Sequence, residues 1–124
     1  YETQLQAYAQ ANNLGVVSYF SLASGFLSGK YRTLDDIRQT ARAEDLERYF
    51  TERGQRILDA LALLSERFGV SPASIALAWL MAQPGISAPI ASATSLAQLR
   101  ALQAAMTLEL DEAALQMLRQ ASAW

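Results

Sequence analysis

Two short segments have the composition of β-strands, and long helical patterns separate them. Residues 15–20 and 86–91 are rich in β-branched and apolar side chains. Alternation of strands and helices predicts parallel strands joined by right-handed crossovers. Parallel sheets contain several strands and are buried on both faces, and a lone pair would leave both edges unpaired. The sequence therefore predicts only a part of a larger α/β fold.

The helical periodicity is clear between and around these strands. It predicts helices at residues 2–12, 44–68, 73–83 and 95–106, and a last helix that Asp111 caps. The helix at 73–83 is apolar almost all round, so it needs neighbours on several sides. In the helix at 95–106, Leu96, Leu99 and Leu102 are expected to face inward. Residues 21–42 are predicted to be a long loop, and such loops are usually functional.

Composition excludes several classes of protein. The chain has 124 residues, of which 52% are hydrophobic, so it is not a disordered segment. Its 10 basic and 12 acidic residues are scattered, which argues against nucleic acid as a partner. The absence of cysteine excludes a disulfide framework and a thiolate metal site. No apolar run approaches the roughly 20 residues of a membrane span, so a membrane partner is not expected.

The chain starts inside a helical pattern. Leu5, Tyr8, Ala9 and Asn12 already share one face, and no capping residue precedes them. This suggests a chain cut from a longer one. The start does not read as a signal peptide, so we expect a cytoplasmic protein. Histidine is absent, which removes the commonest general acid and base.

Three motifs in order carry a resemblance to a known family. Residues 17–32, VSYFSLASGFLSGKYR, resemble the seventh-strand signature of the aldo-keto reductases: a tyrosine, Ser-Pro-Leu, a small residue, one variable position and glycine, with Leu-x-Gly-Lys-Tyr in bacterial members. Residues 88–99, APIASATSLAQL, are similar to the family's eighth strand and the turn into its last barrel helix. Residues 71–80, SPASIALAWL, are similar to the helix before that strand.

The resemblance implies a fold and an activity. The family forms a (β/α)₈ TIM barrel that reduces carbonyl compounds with NADPH, and complete barrels of this kind need roughly 250 residues. Residues 1–124 would then be the C-terminal, cofactor-binding part of one barrel, with strands seven and eight. The implied partners are a small aldehyde or ketone substrate and the rest of the barrel, or self-association of the isolated chain.

The first motif implies a set of cofactor-binding residues. Tyr19 matches the aromatic residue that stacks on the nicotinamide ring. Leu22 and Ser24 match positions that bind the pyrophosphate. The resemblance also implies that the backbone approaches the phosphates closely at Gly25 and Gly29. Lys30 would add a positive charge beside the phosphates.

The second motif implies contacts with the adenosine end. The positions that match those around the 2′-phosphate and adenine are Ser92, Ala93, Thr94 and Gln98. The N-terminus of the following helix would offer unpaired backbone donors to an anion. Ser92 stands where many members carry lysine, and Leu102 stands where asparagine is usual. Arg100 could compensate for the lysine or could simply face water.

The first motif also departs from the family, and it has other readings. Phe20 and Ser21 replace the usual Ser-Pro pair. Tyr19 alone would more often be an ordinary core aromatic, and Lys30 alone a solvated lysine. A phosphate-binding P-loop is rejected for two reasons. Three residues rather than four separate Gly25 from the pair Gly29-Lys30, and Tyr31 stands where a P-loop has serine or threonine.

No catalytic residue is assigned to this chain. The family's tetrad of aspartate, tyrosine, lysine and histidine comes from the first four strands, and neither Lys30 nor Tyr31 nor Tyr49 is a substitute. The implied function is an NADPH-dependent oxidoreductase in which the residues of the first and second motifs bind the cofactor. The alternative is a non-catalytic barrel that senses a nucleotide or binds a partner.

Overall fold

The computed structural model describes residues 1–2 and 4–123. Its helices are α1 (Leu5–Ala11), α2 (Leu34–Ile37), α3 (Ala43–Glu47), α4 (Glu52–Phe68), α5 (Pro72–Met81), α6 (Leu96–Thr107) and α7 (Glu112–Ser122). The strands are β1 (Val16–Ser18) and β2 (Ile86–Pro89), and Ala23–Ser28 form a 3₁₀ segment. Residue 3, within the predicted first helix, lies outside the described residues. No helix in the described part is both long and apolar enough to span a membrane.

The two strands pair in parallel, as predicted. The paired residues are Val16 with Ile86, Val17 with Ala88, and Ser18 with Pro89. Beyond the last pair, the Ile90 N–H donates to the Ser18 carbonyl at 2.7 Å. Both strands are shorter than predicted. The first ends before Phe20 because that residue has a left-handed φ of 58°, which an extended strand does not contain.

The apolar helix α5 lies at the centre of the described chain. All residues from 73 to 78 are buried, which confirms the prediction of neighbours on several sides. Helices α4 and α6, strand β2 and the 3₁₀ segment all contact α5. The fully buried Ser74 hydroxyl donates to the Ala101 carbonyl at 2.8 Å, so its polar group is satisfied and α5 is tied to α6.

One core cluster joins α4, α5 and α7. Its buried members are Ala60, Leu61, Leu64, Ile75, Ala76, Ala114, Leu118 and Ala121. A second cluster is smaller and lies beneath the 3₁₀ segment, and it consists of Phe26, Ile37, Leu46 and Leu58. The second cluster was not predicted, because its members come from four separate elements.

Within the described chain, the predicted inward face of α6 is not the buried one. Leu96 and Leu99 are 62% and 45% exposed, Leu102 is half-buried, and the buried residue of the helix is Ala105. The close approach of α5 and α6 at Ala101 turns the small residues of α6 inward. Leu96 and Leu99 remain exposed in the described part of the chain.

Residues 21–68 are more structured than predicted. The loop over 21–42 contains the 3₁₀ segment and α2, and a capping box between Thr33 and Asp36 starts α2. The predicted helix at 44–68 is divided into α3 and α4. Thr51 is extended at the division, and its Oγ accepts the Gly54 N–H at 3.1 Å as an N-cap.

Asp111 connects α7 to α4 and should make stability depend on acid pH. Its carboxylate accepts the Ala114 N–H at 2.9 Å and pairs with Arg67. These two bonds, the backbone bond first, hold the pKa of Asp111 below its ordinary value. The stabilisation is complete above the unfolded pKa of about 3.9 and is lost as pH falls through the lower folded pKa.

We therefore expect Asp111→Asn to flatten the fall in stability below about pH 4. Asparagine still caps the helix but carries no charge. Denaturant unfolding as a function of pH measures the effect, with Glu109→Gln as the control for losing an exposed carboxylate. If the stability of the variant falls in acid as steeply as that of the original protein, protonation of Asp111 is not what destabilises the fold.

Candidate functional site

The two predicted cofactor turns leave the same edge of the sheet. The first turn begins at Tyr19 directly after β1, and the second begins at Ile90 directly after β2. Ser18 pairs with Pro89 in a parallel register, so the carboxyl ends of the two strands are neighbours. In α/β folds ligands bind outside the carboxyl ends of strands. This edge is therefore the candidate site.

Tyr19 is an exposed aromatic residue at this edge. Its side chain is 73% exposed and belongs to neither core cluster. Its ring centroid lies 4.1 Å from that of Phe20, at an interplanar angle of 56°. Within the described chain, Tyr19 does not pack as a core aromatic. An exposed ring beside a strand end can stack on a flat ligand.

A run of left-handed backbone follows Tyr19. The φ angles are 49° at Ala23, 57° at Ser24 and 98° at Gly25. Residues other than glycine rarely adopt such angles, and strained backbone of this kind clusters at ligand-binding sites. The resemblance implied a close backbone approach at Gly25, but the sequence gave no sign that Ala23 and Ser24 would adopt left-handed angles as well.

Ser24 carries a buried polar group without a partner. The residue is 9% exposed, and its hydroxyl makes no hydrogen bond with any described residue. An unsatisfied buried hydroxyl costs about 1–3 kcal/mol, so a bound acceptor or donor at this point would be favourable. Ser24 is thus the predicted pyrophosphate residue with the clearest physical reason to meet a ligand.

The remaining residues of the first turn have defined surroundings. The Leu22 carbonyl accepts the N–H groups of Gly25 and Leu27 at 2.9 and 3.3 Å. Gly29 ends the 3₁₀ segment with a φ of 75°. Lys30 is exposed, and its ammonium lies 4.6 Å from the Tyr31 ring centroid. It forms no ion pair with a described carboxylate, so its charge is available at the turn.

The second turn, which leads from Ile90 into α6, is stabilised by its own hydrogen bonds. The Gln98 Oε1 accepts the Thr94 N–H at 2.7 Å and the Thr94 hydroxyl at 3.1 Å. Ser95 caps α6 by accepting the Gln98 N–H at 3.2 Å. Ser92 is exposed and Ala93 is half-buried. Gln98 therefore has a structural role at the helix start, and Ser95 is a residue of the turn that was not among the predicted site residues.

Two cavities of the described chain border the first turn, but none of the predicted cofactor residues lines them. One of about 750 Å³ borders the 3₁₀ segment and the start of α4, and one of about 140 Å³ lies between α4, α5 and α7. Neither is lined by Tyr19, Lys30 or Ser92. Among the described residues no cluster of histidine, cysteine, aspartate and glutamate could hold a metal ion. The candidate site is thus an open edge that carries aromatic, hydroxyl and ammonium groups.

Curated proteins similar to this chain include oxidoreductases. The uncharacterized oxidoreductase YrpG of Bacillus subtilis is 33% identical over 117 residues, which cover 94% of this chain and 35% of YrpG. Protein tas of Escherichia coli is 29% identical, over 90% of this chain and 33% of tas. Aldo-keto reductase yakc of Schizosaccharomyces pombe, whose name includes NADP(+), is 27% identical, over 89% of this chain and 33% of yakc. The chain spans about a third of the length of these relatives.

A family model confirms the resemblance that the three motifs carry. The model of the Aldo/keto reductase family matches residues 1–123, which include both turns at the carboxyl edge of the sheet. The chain belongs to the aldo/keto reductase family.

Proposed function

We propose that this chain supplies the cofactor-binding part of an NADPH-dependent oxidoreductase that reduces aldehydes or ketones. The observation that carries the proposal is the left-handed run at Ala23–Gly25, which holds the unpartnered buried hydroxyl of Ser24 just after β1. A strained turn with an unsatisfied polar group at the carboxyl end of a parallel strand suits a bound phosphate.

The residues present fit a dinucleotide. Tyr19 offers an exposed ring to the nicotinamide, and Lys30 offers a positive charge near the phosphates. The pyrophosphate would be held at Leu22, Ser24, Gly25 and Gly29, and the adenosine end at Ser92, Ala93, Thr94 and Gln98. NADPH supplies the hydride for carbonyl reduction when it is bound. The contribution of these residues is to hold the cofactor and fix which ring face is presented.

We further propose that β1 and β2 are strands seven and eight of a (β/α)₈ barrel. The family and the one-third coverage of the relatives support this assignment. The exposed apolar side chains also support it, because remaining barrel elements would cover them: Leu5, Tyr8, Val17, Leu96 and Leu99. The proton donor would be a tyrosine outside the residues of this chain.

Binding and turnover by the full-length protein test the proposed function. Titration with NADPH should quench the protein fluorescence, and a panel of small aldehydes and ketones should then consume NADPH. Binding without turnover would favour the alternative of a nucleotide-sensing barrel. Absence of binding to both NADPH and NADH would refute the proposed cofactor site.

The isolated 124-residue chain should self-associate. In the described chain both edges of the two-stranded sheet are unpaired, and Val17 and Ile90 are 54% and 58% exposed. Light scattering and thermal unfolding of the purified chain measure this. A monodisperse monomer with a cooperative melt would contradict the expectation.

A further inference from the structure

Residues 33–50, named here the brace, form a small core with the 3₁₀ segment. Ile37 and Leu46 of the brace are 3% and 0% exposed, and they cluster with Phe26 and Leu58. Phe26 belongs to the 3₁₀ segment, whereas Leu58 belongs to α4. The brace therefore connects the predicted pyrophosphate turn to a long helix of the main core.

Two aromatic rings of the brace hold Phe26. The Tyr49 ring lies 5.4 Å away, nearly parallel at 28°, and the Phe50 ring lies 5.3 Å away at 80°, edge to face. Both arrangements are favourable for aromatic pairs. Phe26 directly follows Gly25 in the chain, so holding its ring restrains the left-handed run that ends at Gly25.

Gly54 lets the end of the brace lie on α4. A Cβ at this position would overlap the Tyr49 carbonyl oxygen and would approach the Phe26 Cζ to 3.2 Å. The Gly54 N–H also completes the cap by donating to Thr51. Any larger residue at position 54 would displace the brace, because the obstructing group is backbone.

Arg42 provides a second connection from the brace. Its guanidinium Nη1 donates to the Ser24 carbonyl at 3.4 Å. Ser24 has a left-handed φ of 57° and the unpartnered hydroxyl. The brace thus touches the most strained part of the turn directly as well as through Phe26.

We propose that the brace is a positioning element that holds the 3₁₀ segment in its dinucleotide-binding conformation before the cofactor arrives. Residues of the brace would then set the affinity for NADPH without touching it, because a turn that is already formed loses less conformational entropy on binding. This inference rests on the proposed function of the turn, and its test can fail separately.

The test uses Gly54→Ala and Arg42→Ala in the full-length protein. We expect Gly54→Ala to raise the Kd for NADPH by about tenfold, the factor that corresponds to the strain of one left-handed residue. Arg42→Ala should raise it by about threefold, because it removes one long hydrogen bond. Alanine is the better helix former, so helix propensity cannot explain a loss at Gly54.

Arg38→Ala is the matched control, because Arg38 is an exposed arginine of the brace that pairs only with Asp35 among the described carboxylates. Hydrogen exchange of residues 22–29 without cofactor provides a readout that is independent of binding. Exchange should become faster in both variants, whereas kcat at saturating NADPH should stay unchanged. If Gly54→Ala does not fold, the Kd and the exchange rates of Arg42→Ala test the proposal on their own.

Failure of the brace and failure of the proposed function give different results. If the original protein binds NADPH and the folded variants retain its Kd and its exchange rates, the positioning role of the brace is refuted, whereas the proposed cofactor site is supported. If the original protein does not bind NADPH but exchange still accelerates, the brace holds the segment and the proposed cofactor is wrong.

Discussion

Replacing Tyr19 by alanine should raise the Kd for NADPH by at least about tenfold, since stacking of a base-like ring on an aromatic side chain contributes about 1–3 kcal/mol. The side chain is 73% exposed, so its removal leaves no cavity in the described chain and stability should change little. Fluorescence titration of the full-length protein measures the affinity, and a thermal melt measures stability.

Two further variants isolate the stacking role of Tyr19. Tyr19→Phe retains the ring and should bind NADPH almost as tightly as the original protein. Tyr8→Ala removes a tyrosine of α1 that is exposed in the described chain and lies outside the candidate site, so it should leave the Kd for NADPH unchanged whatever it does to stability. An unaltered Kd in Tyr19→Ala would mean that the ring does not contact the cofactor.

Leu64→Ala should lower the free energy of unfolding by about 3 kcal/mol, as expected for truncating a leucine in a well-packed core. Leu64 is 1% exposed within the cluster that joins α4, α5 and α7. The truncation leaves a cavity that the surrounding helices fill only in part. Denaturant unfolding of the full-length protein measures the change.

The neighbouring position provides the control. Leu63 lies on the same helix and is 60% exposed, so Leu63→Ala should change stability by only about 0.5 kcal/mol. If the two substitutions cost the same, Leu64 does not lie in the core as the structure describes. A large cost at Leu63 alone would indicate that another part of the full-length protein covers that face of α4.

The brace has a consequence for how affinity could change in related proteins. Arg42, Tyr49 and Phe50 of the brace contact Ser24 and Phe26 but lie outside the family motif at residues 17–32. Substitutions at Tyr49, Phe50 or Gly54 would then tune cofactor affinity while Tyr19 and Lys30 stay the same. Motif residues alone would not predict such differences.

Local sequence determined where α5, α6 and α7 begin, and the alternation of helices and strands determined that the two strands are parallel. Ser71, Ser95 and Asp111 were predicted at helix starts, and each side chain accepts an N–H three residues later. These bonds join groups that are near in sequence, so their chemistry can be read from the residues themselves. The family motifs likewise placed the candidate site at the turns after the two strands.

Only the tertiary structure decided which faces are buried and how the first turn is shaped. Leu99 was expected inside and is exposed, because burial depends on which elements approach α6. The left-handed angles of Ala23 and Ser24 are held by contacts from distant residues, including Phe50 on the Phe26 ring and Arg42 on the Ser24 carbonyl. Non-local packing leaves no periodic signal in a sequence, so these features became visible only in the fold.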